Sequence, residues 1–284
     1  GASHCSWAES CNNLTTVLAM RIVKKDLMKT IVFILKGLLW ASWMVLLGFP
    51  ASAELLPKGD CLSPRALTDL RHCKFWGNDF VGIDLHGVNL DGVDFRGVNM
   101  TGCNLSGASI RKADLRWTNL GECDLTLANL SNSNLFHTNF NGAVLNHTIL
   151  VKSFLFGATL NEVKASKADF SMAFMKDINM SDSTLLNCIF RQSFLFRGVM
   201  IGTDFSGSTL YKANLIGSAL ENANFSETSL KETILKGATF NATLFAGADL
   251  KNADFEDAVF DNMNIAHFKK VKNPPELIKK LIRK

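Results

Sequence analysis

Three consecutive five-residue blocks decide the fold: Ala213-Asn214-Leu215-Ile216-Gly217, Ser218-Ala219-Leu220-Glu221-Asn222 and Ala223-Asn224-Phe225-Ser226-Glu227. The same block continues in both directions, so that Leu, Phe, Met or Ile occupies every fifth position from Leu70 to Ile265. Of these forty positions only Ala165 departs from the rule. A fixed period of this kind identifies a repeat architecture, and it leaves little sequence for a dedicated active site.

The period of five fits neither an α-helix nor a simple half-buried strand. A small residue stands two positions before each large apolar one, Asp or Asn is common between them, and Gly is frequent at the fifth position. The small and large residues therefore share the inner face of an extended segment, and their neighbours point outward. Gly suits a corner at the fifth position because it accepts unusual backbone angles. We expect a coil wound around its own apolar axis.

The block, read as Ala-(Asp/Asn)-Leu-X-X, resembles the unit of the pentapeptide repeat family over about residues 70–266. The resemblance implies an all-β solenoid, a right-handed quadrilateral parallel β-helix with four blocks per coil and about ten coils. At a strand spacing of about 4.8 Å per coil, the stack is about 45 Å long. Ala165 is expected to fit because Val163, two residues earlier, restores part of the missing volume.

The sequence divides into a leader, two caps and the repeat. Residues 1–53 are the leader: 20–53 match a signal peptide, with lysines before an apolar stretch and cleavage expected after Ala53, while 1–19 match no targeting class and are interpreted as an upstream artefact. The expected locations are therefore the periplasm or the thylakoid lumen. An uncleaved leader is the alternative, and it would make the protein a membrane-anchored periplasmic rod.

Short caps are expected at both ends because a solenoid otherwise exposes unpaired strands. Residues 54–72 form the N-terminal cap, in which Ser63-Pro64 predicts a helix start that places Leu67 and Leu70 over the first coil. Residues 73–266 are the β-helix. Residues 267–284 form a basic helical cap, whose apolar stripe comprises Leu277, Ile278, Leu281 and Ile282.

Charge argues against nucleic acid as a partner. Residues 61–266 carry 17 Lys or Arg and 21 Asp or Glu, whereas residues 267–284 carry seven Lys or Arg and one Glu. The repeat thus has neither a basic stripe nor a strongly acidic field. The basic tail is interpreted as a solvated cap face, and weak contact of the tail or the leader with an anionic membrane is the alternative.

Motifs for chemistry are missing from the sequence, which predicts no enzyme, no cofactor and no metal site. It contains no phosphate-binding glycine loop and no nucleophile elbow, and its outward carboxylates follow the repeat. Cys61 and Cys73 are predicted to form a disulfide that holds the N-terminal cap in an oxidising compartment. Cys103, Cys123 and Cys188 fall in the small inner column and are interpreted as buried apolar residues.

One departure from the repeat predicts a binding surface. The outward column is usually polar, yet phenylalanines occupy it at intervals of twenty, and more apolar residues follow two positions later on the same face: Phe136, Phe154, Phe156, Phe174, Phe194, Phe196 and Ile216. Such a patch indicates a docking or dimerisation face for an unknown protein partner or a second copy. The alternative is that the repeat merely tolerates these side chains.

The sequence therefore favours a non-catalytic exported scaffold that binds through its outer wall. A DNA-mimicking topoisomerase-binding protein is the alternative that the family resemblance supplies. The leader and the small net charge of the repeat argue against that alternative, because a DNA mimic needs a cytosolic location and a strongly acidic face.

Overall fold

The computed structural model describes residues 56–75, 77 and 79–283. Parallel bridges join residues twenty apart along the repeat, as between Asn104 and Asp124. Among the described residues, four strands extend to three residues: β1 (Lys164–Ser166), which pairs with β2 (Thr184–Leu186), and β3 (Thr239–Asn241), which pairs with β4 (Val259–Asp261). The repeat between Asp69 and Asp261 is therefore a stack of coils in which each five-residue block lies directly above the block twenty residues earlier.

The large apolar residue of each block points into the stack. All of these positions from Leu70 to Phe255 are buried except Phe80, which is partly buried, and they form one continuous core. Phenylalanines twenty apart stack in the interior, and the ring centroids of Phe205 and Phe225 are 5.1 Å apart. Ala165 is buried together with Val163, as the volume argument predicted.

Buried hydroxyls in the small inner column connect successive coils. The Oγ1 atom of Thr138 donates to the carbonyl oxygen of Leu115 at 2.7 Å, and Ser208 donates in the same way to Leu185. The partner lies twenty-three residues earlier in both cases, which is one coil below. Because buried polar groups need partners, Ser and Thr are tolerated in this column as readily as Ala.

A left-handed backbone conformation makes the corner at the fifth position of the block. Gly97 has φ +68°, and the same corner is adopted by non-glycine residues such as Trp117 and Lys112, both with φ +56°. The corner was predicted from the frequency of Gly, but the structure shows that many L-residues also adopt it.

The predicted N-terminal helix at Ser63-Pro64 is wrong. The segment forms bends at residues 61–63 and a turn at residues 66–67. The backbone of Asp69 donates to Pro57 and accepts from Gly59, so that residues 57–59 pair along the first coil. Asp69 in turn bridges to Asn89 in the next coil. Leu70 is buried as expected, whereas Leu67 forms an exposed corner. Backbone pairing along the open edge thus replaces the helix, because it satisfies the unpaired groups of the first coil.

The C-terminal cap contains the predicted helix, and the repeat ends earlier than its phase indicated. A 3₁₀ helix occupies Ile265–Phe268, so the last block, in which Ile265 is the large apolar residue, does not continue the coil. This turn inserts three extra residues into the last coil. The N–H of Phe225 donates to the carbonyl of Leu244, nineteen residues ahead, whereas the N–H of Phe245 donates to the carbonyl of His267, twenty-two residues ahead.

Helix α1 (Glu276–Ile282) then closes this end. Ile278 is buried, Leu281 and Ile282 pack against the core, and Leu277 is exposed. Within the described part of the chain, no helix has the length and apolar character needed to cross a bilayer. The predicted signal peptide and its cleavage position lie outside the described residues.

Candidate functional site

Asp and Asn are frequent at the second position of the block, which points outward, because their side chains stabilise the following corner. Their side-chain oxygens accept a hydrogen bond from the backbone N–H two residues later, as Asn104 does from Ser106 and Asp124 from Thr126. These bonds satisfy an N–H at the start of the corner, which is the arrangement of an Asx turn. A polar residue in this column therefore serves the fold itself.

Phe154, Phe174 and Phe194 replace that polar residue in three consecutive coils. They bridge directly to one another along the stack, and the ring centroids lie 5.0 Å apart for the first pair and 6.1 Å apart for the second. Phe154 is 39% exposed and Phe194 is 47% exposed. A phenyl ring cannot accept the Asx-turn hydrogen bond, so these residues forgo a local stabilising contact.

A second aromatic column runs beside the first. The ring centroids of Phe136 and Phe156 are 5.4 Å apart, and Phe154 lies 6.4 Å from each of them. Phe196 and Ile216 continue this column in later coils and are partly exposed. The structure thus places all seven predicted residues on one side of the coil, which we call the aromatic face: Phe136, Phe154, Phe156, Phe174, Phe194, Phe196 and Ile216.

Two further residues belong to this surface and were missed from the sequence. The Nζ atom of Lys176 lies between two rings, 5.6 Å from the centroid of Phe156 and 5.7 Å from that of Phe196, which is within cation–π range. Trp117 is exposed at a corner and packs edge-on against Phe136 at 5.3 Å. Lys176 could have been found from its spacing, because it lies twenty residues from both phenylalanines.

Ion pairs flank the aromatic face at both ends of the stack. Toward the N-terminus, Arg96 contacts Asp94 and Arg116 contacts Asp114, both at 2.6 Å. The hydrogen bond from Arg96 lowers the pKa of the Asp94 carboxyl below its usual value. Toward the C-terminus, Lys236 contacts Asp254 at 3.3 Å and also contacts Glu256. The centre of this side is therefore apolar and its ends are charged.

The cysteines show two close pairs. The Cα atoms of Cys61 and Cys73 are 5.4 Å apart and their sulfur atoms are joined, which is the geometry that the predicted disulfide requires. Cys103 and Cys123 stack in adjacent coils with Cα atoms 4.6 Å apart and with their sulfurs in contact inside the core. The spacing of twenty residues predicts this stacking, but the interpretation of the two as buried apolar residues did not include the contact between their sulfurs.

Among the described residues, Cys188 is the cysteine outside these two pairs, and His72 lies beside the first pair. Cys188 is buried, and burial raises the pKa of its thiol to about 12. His72 lies against the first pair, with Nε2 3.4 Å from the sulfur of Cys61. Cys61, His72 and Cys73 thus bring three metal-ligating atoms within 4.8 Å of one another, a proximity that the sequence spacing did not suggest. In the disulfide form neither sulfur is the thiolate that zinc binds.

A shallow cleft of about 410 Å³ lies between the last corners and α1, lined by Lys251, Asn252, Ala253, Asn273, Pro274, Pro275 and Lys279. Its lining residues include no nucleophile beside a base, so the cleft does not provide the paired groups that covalent or acid–base catalysis needs. The aromatic face is the stronger candidate for a functional site.

Comparison with known proteins gives one family match. The family model for pentapeptide repeats matches in eight copies, over residues 68–177 and 198–262, which is more than half of the chain. A search of curated proteins finds no match.

Solved structures with some likeness include three pentapeptide repeat proteins. HetL from the cyanobacterium Nostoc sp. strain PCC 7120 is 21% identical, with 68% of this chain and 87% of that chain covered and a TM-score of 0.40. QnrB1, a plasmid-mediated fluoroquinolone resistance protein, is 18% identical, with 65% and 93% covered and a TM-score of 0.40. A protein from the thylakoid lumen of Arabidopsis thaliana is 25% identical, with 40% and 73% covered and a TM-score of 0.32. At these TM-scores the likenesses assign no role to the chain.

Proposed function

This chain belongs to the pentapeptide repeat family, and we propose on that premise that it is an exported, non-catalytic scaffold that binds a protein through its aromatic face. The observation that carries the proposal is the run of phenylalanines at Phe154, Phe174 and Phe194 in a column where the fold favours Asp or Asn. The right-handed winding and the count of about ten coils belong to the same proposal and are supported by the family.

The local cost of these phenylalanines supports a role in binding. Each replaces a side chain that would accept a hydrogen bond at the corner. The rings of Phe154 and Phe194 are exposed to water, and that of Phe174 is partly exposed. Three such replacements in consecutive coils, joined by Phe136 and Phe156 in the next column, make a contiguous apolar surface. Lys176 links this surface to Phe196. Aromatic residues of this kind are the usual anchors of protein interfaces.

The absence of catalysis is supported by how the side chains of the described residues are used. Large apolar residues fill the interior, hydroxyls of the small column bind carbonyls one coil below, and many outward carboxylates hold corners or pair with Arg and Lys. Pairing also weakens the topoisomerase-binding alternative. The carboxyls of Asp91, Asp94 and Asp114 each contact an arginine at 2.6 Å, so they do not form an unneutralised row that imitates DNA.

Export remains part of the proposal and is supported by the leader sequence, in which lysines precede an apolar stretch and Ala51-Ser52-Ala53. Export also suits the Cys61–Cys73 disulfide, which would persist in an oxidising compartment. N-terminal sequencing of protein recovered from the exported fraction tests both export and cleavage of the leader. A mature terminus at Glu54 is expected, whereas recovery from the cytosol with the leader intact would contradict export.

Site-specific photo-crosslinking in cells tests the binding surface. A photoreactive phenylalanine derivative is placed at Phe194, or at Ile149 as the control, which is exposed to a similar degree (38%) in a different column. We expect a discrete protein adduct from position 194 and none from position 149. Equal labelling at the two positions, or no adduct at either, would contradict the proposed surface.

A further inference from the structure

We propose that the aromatic face binds a second copy of this chain, with the two coils side by side and parallel. This inference rests on the proposed function because it uses the same surface, and it identifies the partner as a second copy of the chain. Its basis is a self-complementarity between the two outward columns of this face. A symmetric dimer needs one surface patch that matches itself, so that each contact occurs twice.

The two columns carry complementary residues at several levels of the stack. The first column contains Asp94, Asp114, Asn134, Phe154, Phe174 and Phe194. The second column lies two residues further along each block and contains Arg96, Arg116, Phe136, Phe156, Lys176 and Phe196. Acid therefore stands beside base at the first two levels, and aromatic residues or a lysine stand beside aromatic residues around Phe174.

A two-fold axis parallel to the coil exchanges left and right while it keeps the level. It places the first column of one copy opposite the second column of the other. Asp94 then faces Arg96 of the second copy, and Asp114 faces Arg116. Around the centre, Phe154 faces Phe156, Phe194 faces Phe196, and Phe174 faces Lys176, which already binds aromatic rings within its own chain.

The antiparallel alternative fits less well, although it also brings the aromatic residues together. Centred on Phe174, it would place Asp94 opposite Asp254 and Arg116 opposite Lys236 of the second copy. It would also bring the two Lys176 side chains together at the axis. Like charges across an interface are unfavourable and select against a wrong orientation. The parallel arrangement has one kind of like-charge contact, Asp254 opposite Glu256, against two kinds of opposite-charge contact at the N-terminal end. The antiparallel arrangement gains only one opposite-charge contact, Arg96 opposite Glu256, so the balance of charges favours the parallel arrangement.

Sedimentation velocity of the purified chain tests the dimer, and it is run on the full chain and on residues 56–284, which form a unit with its own core and caps. We expect a concentration-dependent shift to twice the monomer mass. The triple variant F154S/F174S/F194S should stay monomeric with an unchanged far-UV spectrum. The control I149S/V199S removes residues of comparable exposure, 38% and 36%, from other faces and should still dimerise. An unsubstituted chain that stays monomeric, or a triple variant that dimerises normally, would overturn the proposal.

Mixing single cysteine variants tests the orientation. Asn214 lies in the first column and Ile216 in the second, so the parallel dimer brings N214C of one copy opposite I216C of the other. The antiparallel dimer instead brings Asn214 opposite Asn134. Under mild oxidation, we expect a covalent dimer from the mixture of N214C with I216C and none from N214C with N134C. Crosslinking in the second mixture, or in neither, would overturn the parallel arrangement.

The two proposals fail separately. A monomeric purified chain that still gives a discrete adduct to a different protein at position 194 in cells would end the dimer and leave the proposed function intact. A monomeric chain without any adduct at that position would end both.

Discussion

Each residue of the block has a separate physical reason. Leu215 fills the interior, Asn214 accepts a hydrogen bond at its outward position, and Gly217 makes the next corner with φ +63°. The interior column could be predicted from the sequence because hydrophobicity alone defines it. The Asx-turn role of Asp and Asn could not, because outward polarity is also what solvent exposure would select.

Replacing a corner glycine tests the backbone explanation. Gly97 has φ +68° and open space around the position that a Cβ atom would occupy, so G97A should destabilise through backbone strain alone. We expect the free energy of unfolding to fall by about 1–2 kcal/mol. Urea unfolding measures the change. The matched control K112A alters an exposed residue that already adopts φ +56°, and it should be nearly neutral. Equal losses in both variants would contradict this explanation.

The buried thiol of Cys188 gives a second test at this scale. Because burial raises its pKa to about 12, the thiolate fraction at pH 8 is very small, and the sulfur is also inaccessible. We expect no alkylation of Cys188 by iodoacetamide in the native protein and full alkylation in guanidinium. Mass spectrometry of the digested protein measures the alkylation of Cys188 under both conditions. Rapid native labelling would show that the inner column opens.

At the scale of elements, the caps differ in how far the sequence predicted them. The apolar stripe of α1 defined a helix because only one face of it is buried, with Ile278 inward and Leu277 outward. The Ser63-Pro64 signal failed because local capping chemistry competes with pairing along the open edge of the first coil. The register shift at Ile265–Phe268 also escaped prediction, because Ile265 kept the five-residue phase.

Two neighbouring residues in α1 test the C-terminal cap. Ile278 is fully buried and Leu277 is exposed, so I278A should leave a cavity at the end of the core. We expect I278A to lower the free energy of unfolding by about 2–5 kcal/mol. The L277A variant serves as the control and should change it by less than about 0.5 kcal/mol. Thermal unfolding distinguishes the two, and similar effects would mean that α1 does not pack as described.

The N-terminal cap gives a test through its cysteines. The pair Cys61–Cys73 closes a short loop of sequence separation 12, and the variant C61S/C73S should lose about 3 kcal/mol of stability. The control C188A removes a cysteine that closes no loop and should cost less. Native-state hydrogen exchange should locate the loss in residues 57–90. Unchanged protection there would contradict a role for this disulfide in the cap.

For the whole molecule, the period determined both the fold and the position of the aromatic face. Phenylalanines at intervals of twenty could be assigned to one side only because four blocks make a coil, and the parallel bridges between Phe154, Phe174 and Phe194 bear this out. The ion pairs at Arg96, Arg116 and Lys236 were harder to predict, because charged residues are common on any solvent-exposed wall.

The most direct test of this account measures whether the chain returns to the same corner every twenty residues. Spin labels at K112C and K212C, both exposed corners five coils apart, should be separated by about 24 Å in pulsed electron resonance. Moving the second label one coil further, to E232C, should lengthen the distance by about 5 Å. The labelled chain is diluted with unlabelled chain so that distances within one molecule dominate. Broad distributions, or distances that do not increase by one strand spacing per twenty residues, would contradict the stacked coil and with it the aromatic face.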